Sequence, residues 1–420
     1  MKAVTKLIVA AALVLLSGTA LAQITITYWQ FDFATRVEAI NQLIAQFEAE
    51  NPGIRVVHET FPHAAYAEQV AVAVPAGQGP DVAQLFYGWL PMWARAGLVK
   101  PLPEQFFDTA TIDAEFVPMV QAAKIGGVYY GLPTSVRTLA LFYNRDKLEA
   151  AGFSQPPSTW DELIEVAKAL TVRVGPRFTQ IGLGVAPAGQ DHHLIREVLT
   201  RQFGTPPHSE DGRQVLFGNE AGLAAFEFYT SLITEHEIGV IEFVPGAGGY
   251  REGFRSLENI AMIIDGSFAV GDTAAVAQFT WGVAPIPTLD NGVRANFGSF
   301  WMNGLTPNAF RDRAILEASA KFLEFITRPE AMMLKLELVG ELPARQELID
   351  DPQLVVDPVF EPFVAALAYA TATRFVDELA QRRVIIDAVN RVVMEGMDPA
   401  ESWRLAAQEE QGILDQFHRR

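Results

Sequence analysis

Early in the chain, short β-type runs alternate twice with helical ones, and that order leaves few folds open. Gln23 to Tyr28 (QITITY) alternates β-formers and predicts a strand. Val37, Ile40, Leu43, Ile44 and Phe47 then recur at helical spacing until Asn51-Pro52-Gly53 ends the run. Ile54 to Val57 predicts a second strand and Ala64 to Val74 a second helix. Asp81 to Phe86 predicts a third strand, behind Gly77-Gln78-Gly79-Pro80. Parallel strands need a long crossover, usually a helix. The β-α-β-α-β order therefore implies an α/β fold with a largely parallel sheet covered by helices.

The pattern continues. A capped helix is expected from Trp160 to Leu170, where Thr159 and Glu162 stand three apart as in a capping box. Strands are expected near Ile181 to Val185, Asn259 to Asp265 and Trp281 to Ile286. Helices are expected around His193 to Phe203, Glu220 to Thr234 and Arg313 to Ile326, and the chain from Pro358 on reads as mostly helical. A single hydrophobic core rarely supports roughly 400 residues, so two lobes are the natural expectation.

The start of the chain is of another kind. Lys2 and Lys6 precede an apolar run, Leu7 to Leu16, which ends in Ala20-Leu21-Ala22. This describes a cleavable secretory leader over residues 1–22. Ten apolar residues reach only ~15 Å as a helix, half of a bilayer core, which argues against an anchor. There is no cysteine, so disulfides, thiolate metal sites and lipid-modified cysteines are excluded. A periplasmic location fits these features. Formal charge is −18, and losing Lys2 and Lys6 with the leader makes it −20, which disfavours nucleic acid and anionic membranes as partners.

Ligands of open α/β sheets bind outside the carboxyl ends of strands, so the loops that follow strands hold the candidate residues. Trp29 offers a flat face and Asp32 two acceptors. The alternative is that Trp29 is core and Asp32 caps the next helix. Asp81 and the pair Tyr87 and Trp89 flank the third strand. Arg137 follows Pro133-Thr134-Ser135 and, if buried, needs a partner. Phe268 ends Asp265-Gly266-Ser267, Trp301 ends Gly298-Ser299-Phe300, and Arg345 ends Gly340 to Arg345 (GELPAR).

No catalytic constellation or cofactor motif emerges. His192 and His193 are adjacent, so on an α-helix their side chains diverge by ~100°, a poor arrangement for one metal. Like His58 and His63, they read as surface or capping histidines. No nucleophile elbow, P-loop or H-E-x-x-H is present, and nothing favours a glycosidase-type carboxylate pair.

Several phrases, in order, resemble those of the bacterial extracellular solute-binding proteins, family 1, the sugar-binding type that feeds ATP-driven importers. They are FEAENPGIRV, GQGPDV, MWARAGLVKPL, GGVYYGLP, LFYNRDKLEAAGF, PPSTWDEL, FRSLENIAMIIDGSF, WGVAPIPT and GELPAR. The resemblance implies a two-lobed Venus-flytrap (type II periplasmic-binding-protein) fold, each lobe a mainly parallel sheet flanked by helices. Lobe one would be residues 23–136 plus 299–344, and lobe two 137–298 plus 345–420, with three hinge crossings. A carbohydrate or related polyol would be gripped between the lobes and delivered by a monomer to the membrane permease subunits of an ABC importer, without a cofactor.

By position, Asp32, Asp81, Tyr87, Trp89, Arg137, Phe268, Trp301 and Arg345 fall in or near the family's ligand-contacting loops. Phe268 stands where the motif often has tryptophan. Arg137 stands where maltose-type relatives carry a carboxylate, and an arginine there suits a carboxylate, sulfonate or phosphate on the ligand.

Overall fold

The computed structural model describes residues 23–246 and 248–419; the expected leader, residues 1–22, lies outside them. Strand β1 (Ile24–Phe31) is followed by the helix Ala34–Glu50, β2 (Ile54–Phe61), the helix His63–Ala73 and β3 (Val82–Phe86). β1 pairs in parallel with β2 from Ile24 opposite Ile54 to Phe31 opposite Phe61, and with β3 on its other side. Both β1 and β2 run several residues past their expected ends. β2 is an edge strand, so its polar continuation His58-Glu59-Thr60 meets solvent where sequence alternation gives no signal.

A small hairpin, β4 (Lys124–Ile125) with β5 (Val128–Tyr129), leads into β6 (Leu132–Arg137). After one residue, Thr138, the chain enters β7 (Leu139–Asn144). Then come β8 (Val172–Val174), β9 (Arg177–Gly184), β10 (Ile260–Gly266) and β11 (Trp281–Ala284), with helices between them. The chain returns through β12 (Asn296–Phe297) and β13 (Ser299–Leu305), and β14 (Ala370–Thr371) later pairs with β12.

Two five-stranded sheets result, in the orders β2-β1-β3-β13-β6 and β11-β7-β10-β9-β8. In the first, four strands point one way and only β13 is reversed, because it is the returning segment; it pairs antiparallel with both β3 and β6. In the second, β7 and β8 run against the other three. The carboxyl ends of β6 and β10 face each other through the turn at Thr138. Arg137 pairs with Ser299 on one side of that turn, and Leu139 with Gly266 on the other.

Local sequence signals explain much of this. Helix Trp160–Leu170 has the full capping box: Thr159 Oγ1 accepts from Glu162 N, and the Glu162 carboxylate accepts from Thr159 N. The C-terminal helices Glu378–Val393 and Pro399–Arg419 pack on Glu220–Thr234. There Trp403 stacks on Phe226 with centroids 4.5 Å apart and donates from Nε1 to the Phe217 carbonyl. No helix among the described residues is long and apolar enough to cross a membrane.

Candidate functional site

The carboxyl ends of the first sheet carry an aromatic shelf. β13 runs between β3 and β6, which sets Trp301 opposite Phe86 and Ser135. Its indole lies 4.4 Å from the Phe31 ring, 5.2 Å from Trp89 and 5.5 Å from Phe86, centroid to centroid. Tyr87 stacks on Phe300 at 4.8 Å and 26°. Beside Tyr87 an open groove runs between Gly88 and Pro91 on one wall and Thr371, Thr373 and Phe375 on the other. The shelf rings are packed on one another and nearly buried in this arrangement, Trp301 and Trp89 each 5% exposed; aromatic faces of this kind suit the C–H surface of a sugar where a ligand reaches them.

Trp29 sits one step behind the shelf. Its ring packs against Phe61 at 4.6 Å and its carbonyl accepts from the Tyr66 hydroxyl, so it is a core residue. Asp32 is solvent-exposed at the end of β1. Phe33, not Asp32, holds the N-cap position of the following helix, so the capping alternative does not describe it.

Around Phe268 three guanidinium groups converge: Arg137 at 5.0 Å from the ring centroid, Arg251 at 5.1 Å and Arg36 at 5.9 Å. Gly266 makes this possible, since a Cβ there would stand 2.5 Å from the folded-back Phe268 ring. Arg251 grips Asp265 through Nε and Nη2 at 2.5 and 2.9 Å. Arg36 pairs with Glu341 at 2.5 Å, and Ser135 Oγ donates to the other Glu341 oxygen at 2.7 Å. Burial alone would raise the Glu341 carboxyl; the charges of Arg36, Arg137 and Lys335 outweigh it and hold the group down at about 2.

Among the described residues the Arg137 side chain donates only from Nε, to Ser299 Oγ at 3.0 Å. Burial first, and the neighbouring Arg36 and Arg251 next, bring it down to about 9 against the pull of Glu341 and Asp265.

The second half contributes residues that sequence reading set aside. His192 and His193 are buried, not on the surface, with ring centroids 3.9 Å apart, and His193 stacks on Phe297 at 3.7 Å. The divergence of ~100° holds for a regular α-helix; here wide π-type turns, Pro187–Asp191 and Leu194–Leu199, flank the pair. Their ring nitrogens and a Glu378 oxygen lie within 4.8 Å of one another. Glu378 already binds Arg382 through Oε1 and accepts from Trp89 Nε1 through Oε2. Burial, then Arg382 and Arg196, push His192 well below the ordinary histidine range. Such a field repels a dication. His192 Nε2, His193 Nδ1 and Trp301 Nε1 are buried without protein partners among the described residues, a state uncommon for buried polar atoms.

Two expected site residues lie elsewhere. Asp81 stands at the opposite end of β3, where its carboxylate accepts from Thr27 N at 2.8 Å and faces Arg311 at 3.4 Å. It fastens the start of the strand, not its ligand-facing end. Arg345 pairs with Glu115 at 2.5 Å and donates to the Thr327 carbonyl, tying loops of the first half together. The GELPAR phrase does reach the cluster, through Glu341. Arg36 also escaped notice, since one arginine on an amphipathic helix carries no signal. Glu378 and Arg382 join the His192–His193 pair only through the fold.

Comparison with known proteins agrees with the fold. Residues 33–333 match the family model described as bacterial extracellular solute-binding protein. A maltotriose-binding protein of Pyrococcus abyssi is 25% identical over 357 residues, covering 82% of this chain and 72% of that one. The sn-glycerol-3-phosphate-binding periplasmic protein of Escherichia coli is 25% identical over 361 residues, covering 80% and 77%. In structure, a solute-binding protein of Thermotoga lettingae bound with α-D-tagatose superposes with a TM-score of 0.80 at 24% identity, over 93% of this chain and all of that one.

Proposed function

The chain belongs to the bacterial extracellular solute-binding proteins, and from that membership we propose that it captures a carbohydrate or related polyol between its two sheets and passes it to an ABC importer. It binds its solute and does not convert it. The observation that carries the reading is the cluster of Trp301, Trp89, Phe86 and Phe31 beside the Arg137 guanidinium, 5.7 Å from Phe86 and 6.0 Å from Trp301, and linked through Trp89 Nε1 and Glu378 to the His192–His193 pair. The maltotriose-binding relative supports the ligand class.

In this reading residues 23–136 plus 299–344 form one lobe and 137–298 plus 345–420 the other, and the protein acts in the periplasm as a monomer. The ligand touches both lobes, so it binds the closed arrangement better than an open one, and that difference drives hinge closure. The membrane permease subunits then recognise the closed shape.

The test is a screen of mono-, di- and oligosaccharides and polyols, read by thermal melting and tryptophan fluorescence. Trp89 and Trp301 should report binding directly. A rise in melting temperature with quenching is expected for at least one ligand; silence across the panel at millimolar concentrations refutes the proposal.

A further inference from the structure

We infer that the captured polyol carries an oxyanion, a carboxylate or a phosphate, and that Arg137 holds it. This rests on the cleft reading above and narrows its ligand class. The ring of Phe268 gathers three guanidinium groups, and two of them are already paired: Arg36 with Glu341 and Arg251 with Asp265. Lys335, buried behind them, donates to the Thr134 hydroxyl. Four cations therefore share two carboxylates in contact with them; the next acidic group, Asp191, lies behind Asp265 and is hydrogen-bonded to Tyr229 and to Ala186 N.

Across the cleft Arg382 is matched by Glu378 and adds no negative excess. Asp32, at the rim, is exposed and solvated. A chain of net charge −18 has thus placed a local positive excess where its ligand binds, so composition does not explain it.

Arg137 is where that excess is available. Among the described residues no carboxylate pairs with it, and Ser299 takes only Nε. Phe268 at 5.0 Å, Phe86 at 5.7 Å and Trp301 at 6.0 Å flank the guanidinium. The two terminal nitrogens are then left as an end-on fork, which matches two oxygens of a carboxylate or phosphate. A neutral sugar hydroxyl would leave the charge uncompensated in a desolvated site.

The experiment measures calorimetric affinity of the mature protein for matched pairs: galacturonate against galactose, glucuronate against glucose, and sn-glycerol 3-phosphate against glycerol. The anionic member of at least one pair should bind about 100-fold or more tightly than its neutral partner. Arg137→Gln should remove that preference, and Arg137→Lys, which keeps the charge without the fork, should restore part of it. Circular dichroism shows whether each variant folds, and the wild-type comparison stands whether or not they do. Neutral ligands binding as well as anionic ones, or better, overturn the inference and leave the cleft reading intact. Failure of every member of all three pairs, together with silence in the saccharide screen, removes both.

Discussion

Trp89 and Glu378, 289 positions apart, meet across the two halves of the molecule: the indole Nε1 donates to Oε2 at 3.1 Å while Oε1 receives Arg382. One carboxylate thereby joins the first sheet's aromatic shelf to the C-terminal helices. Replacing Trp89 by Phe keeps most of the ring and removes the donor. The expected loss is about 1–3 kcal/mol in urea unfolding. A cycle with Glu378→Gln should show coupling; additive effects would mean the bond contributes nothing.

Acid should weaken the fold through Glu341 and Glu410. Each is held at about 2, well below its ordinary value of 4.5, by Arg36 and Arg196 respectively, against the upward push of burial. A folded value below the unfolded one means stability that is present above roughly pH 4.5 and lost as pH falls towards 2. Glu341→Gln should unfold more easily at neutral pH and show a shallower decline between these limits. An unchanged slope would place the acid sensitivity elsewhere. Glu341→Ala should cost about 3–5 kcal/mol, because Arg36 stays buried without its partner.

Asp81 and Arg345 separate structural from ligand roles. Asp81→Asn and Arg345→Ala should lower the melting temperature yet leave ligand affinity within about twofold, given the ~0.5 kcal/mol additivity of distant sites. A large loss of affinity in either variant, with the fold intact, would return that residue to the binding surface.

Gly266→Ala tests how Phe268 is seated. A methyl group 2.5 Å from the ring forces Phe268 or the strand end to move. The expected cost is about 1–3 kcal/mol, with weaker ligand binding as the ring shifts away from Arg137. A variant that melts and binds like wild type would show that the ring has another place to go.

Thr159→Ala should cost about 1 kcal/mol in unfolding and leave binding untouched. The capping box it breaks lies at an exposed helix start. A change in affinity would be unexpected and would tie that helix to the site.

The same capping box shows what could be read in advance. Thr159 and Glu162 act within one turn, so spacing alone locates them. β1 to β3 were legible for a similar reason. The ends of β1 and β2 were not, because pairing between strands extends residues whose own pattern is polar. His192 and His193 defeated a rule that assumes regular helical geometry. Arg36, Glu341, Glu378 and Arg382 acquire their roles from partners hundreds of positions away, or, for the last two, from a histidine pair on another helix. Asp81 and Arg345 lay in informative phrases, but sequence does not say which end of a strand faces the ligand.

Thr138 is the only residue between β6 of one sheet and β7 of the other, and it is fully buried. Its hydroxyl donates to the Phe363 carbonyl at 2.8 Å, and its own carbonyl accepts from Ser267 N at 3.3 Å. The two sheets are therefore joined at this point by an axle and not by a tether. If one rotates against the other as proposed, the motion at this crossing passes through a few backbone torsions, with little slack for sliding or separation. On the proposed reading, a ligand seated on Arg137, one residue from that axle, would act where a small displacement sweeps the outer helices through the largest arc.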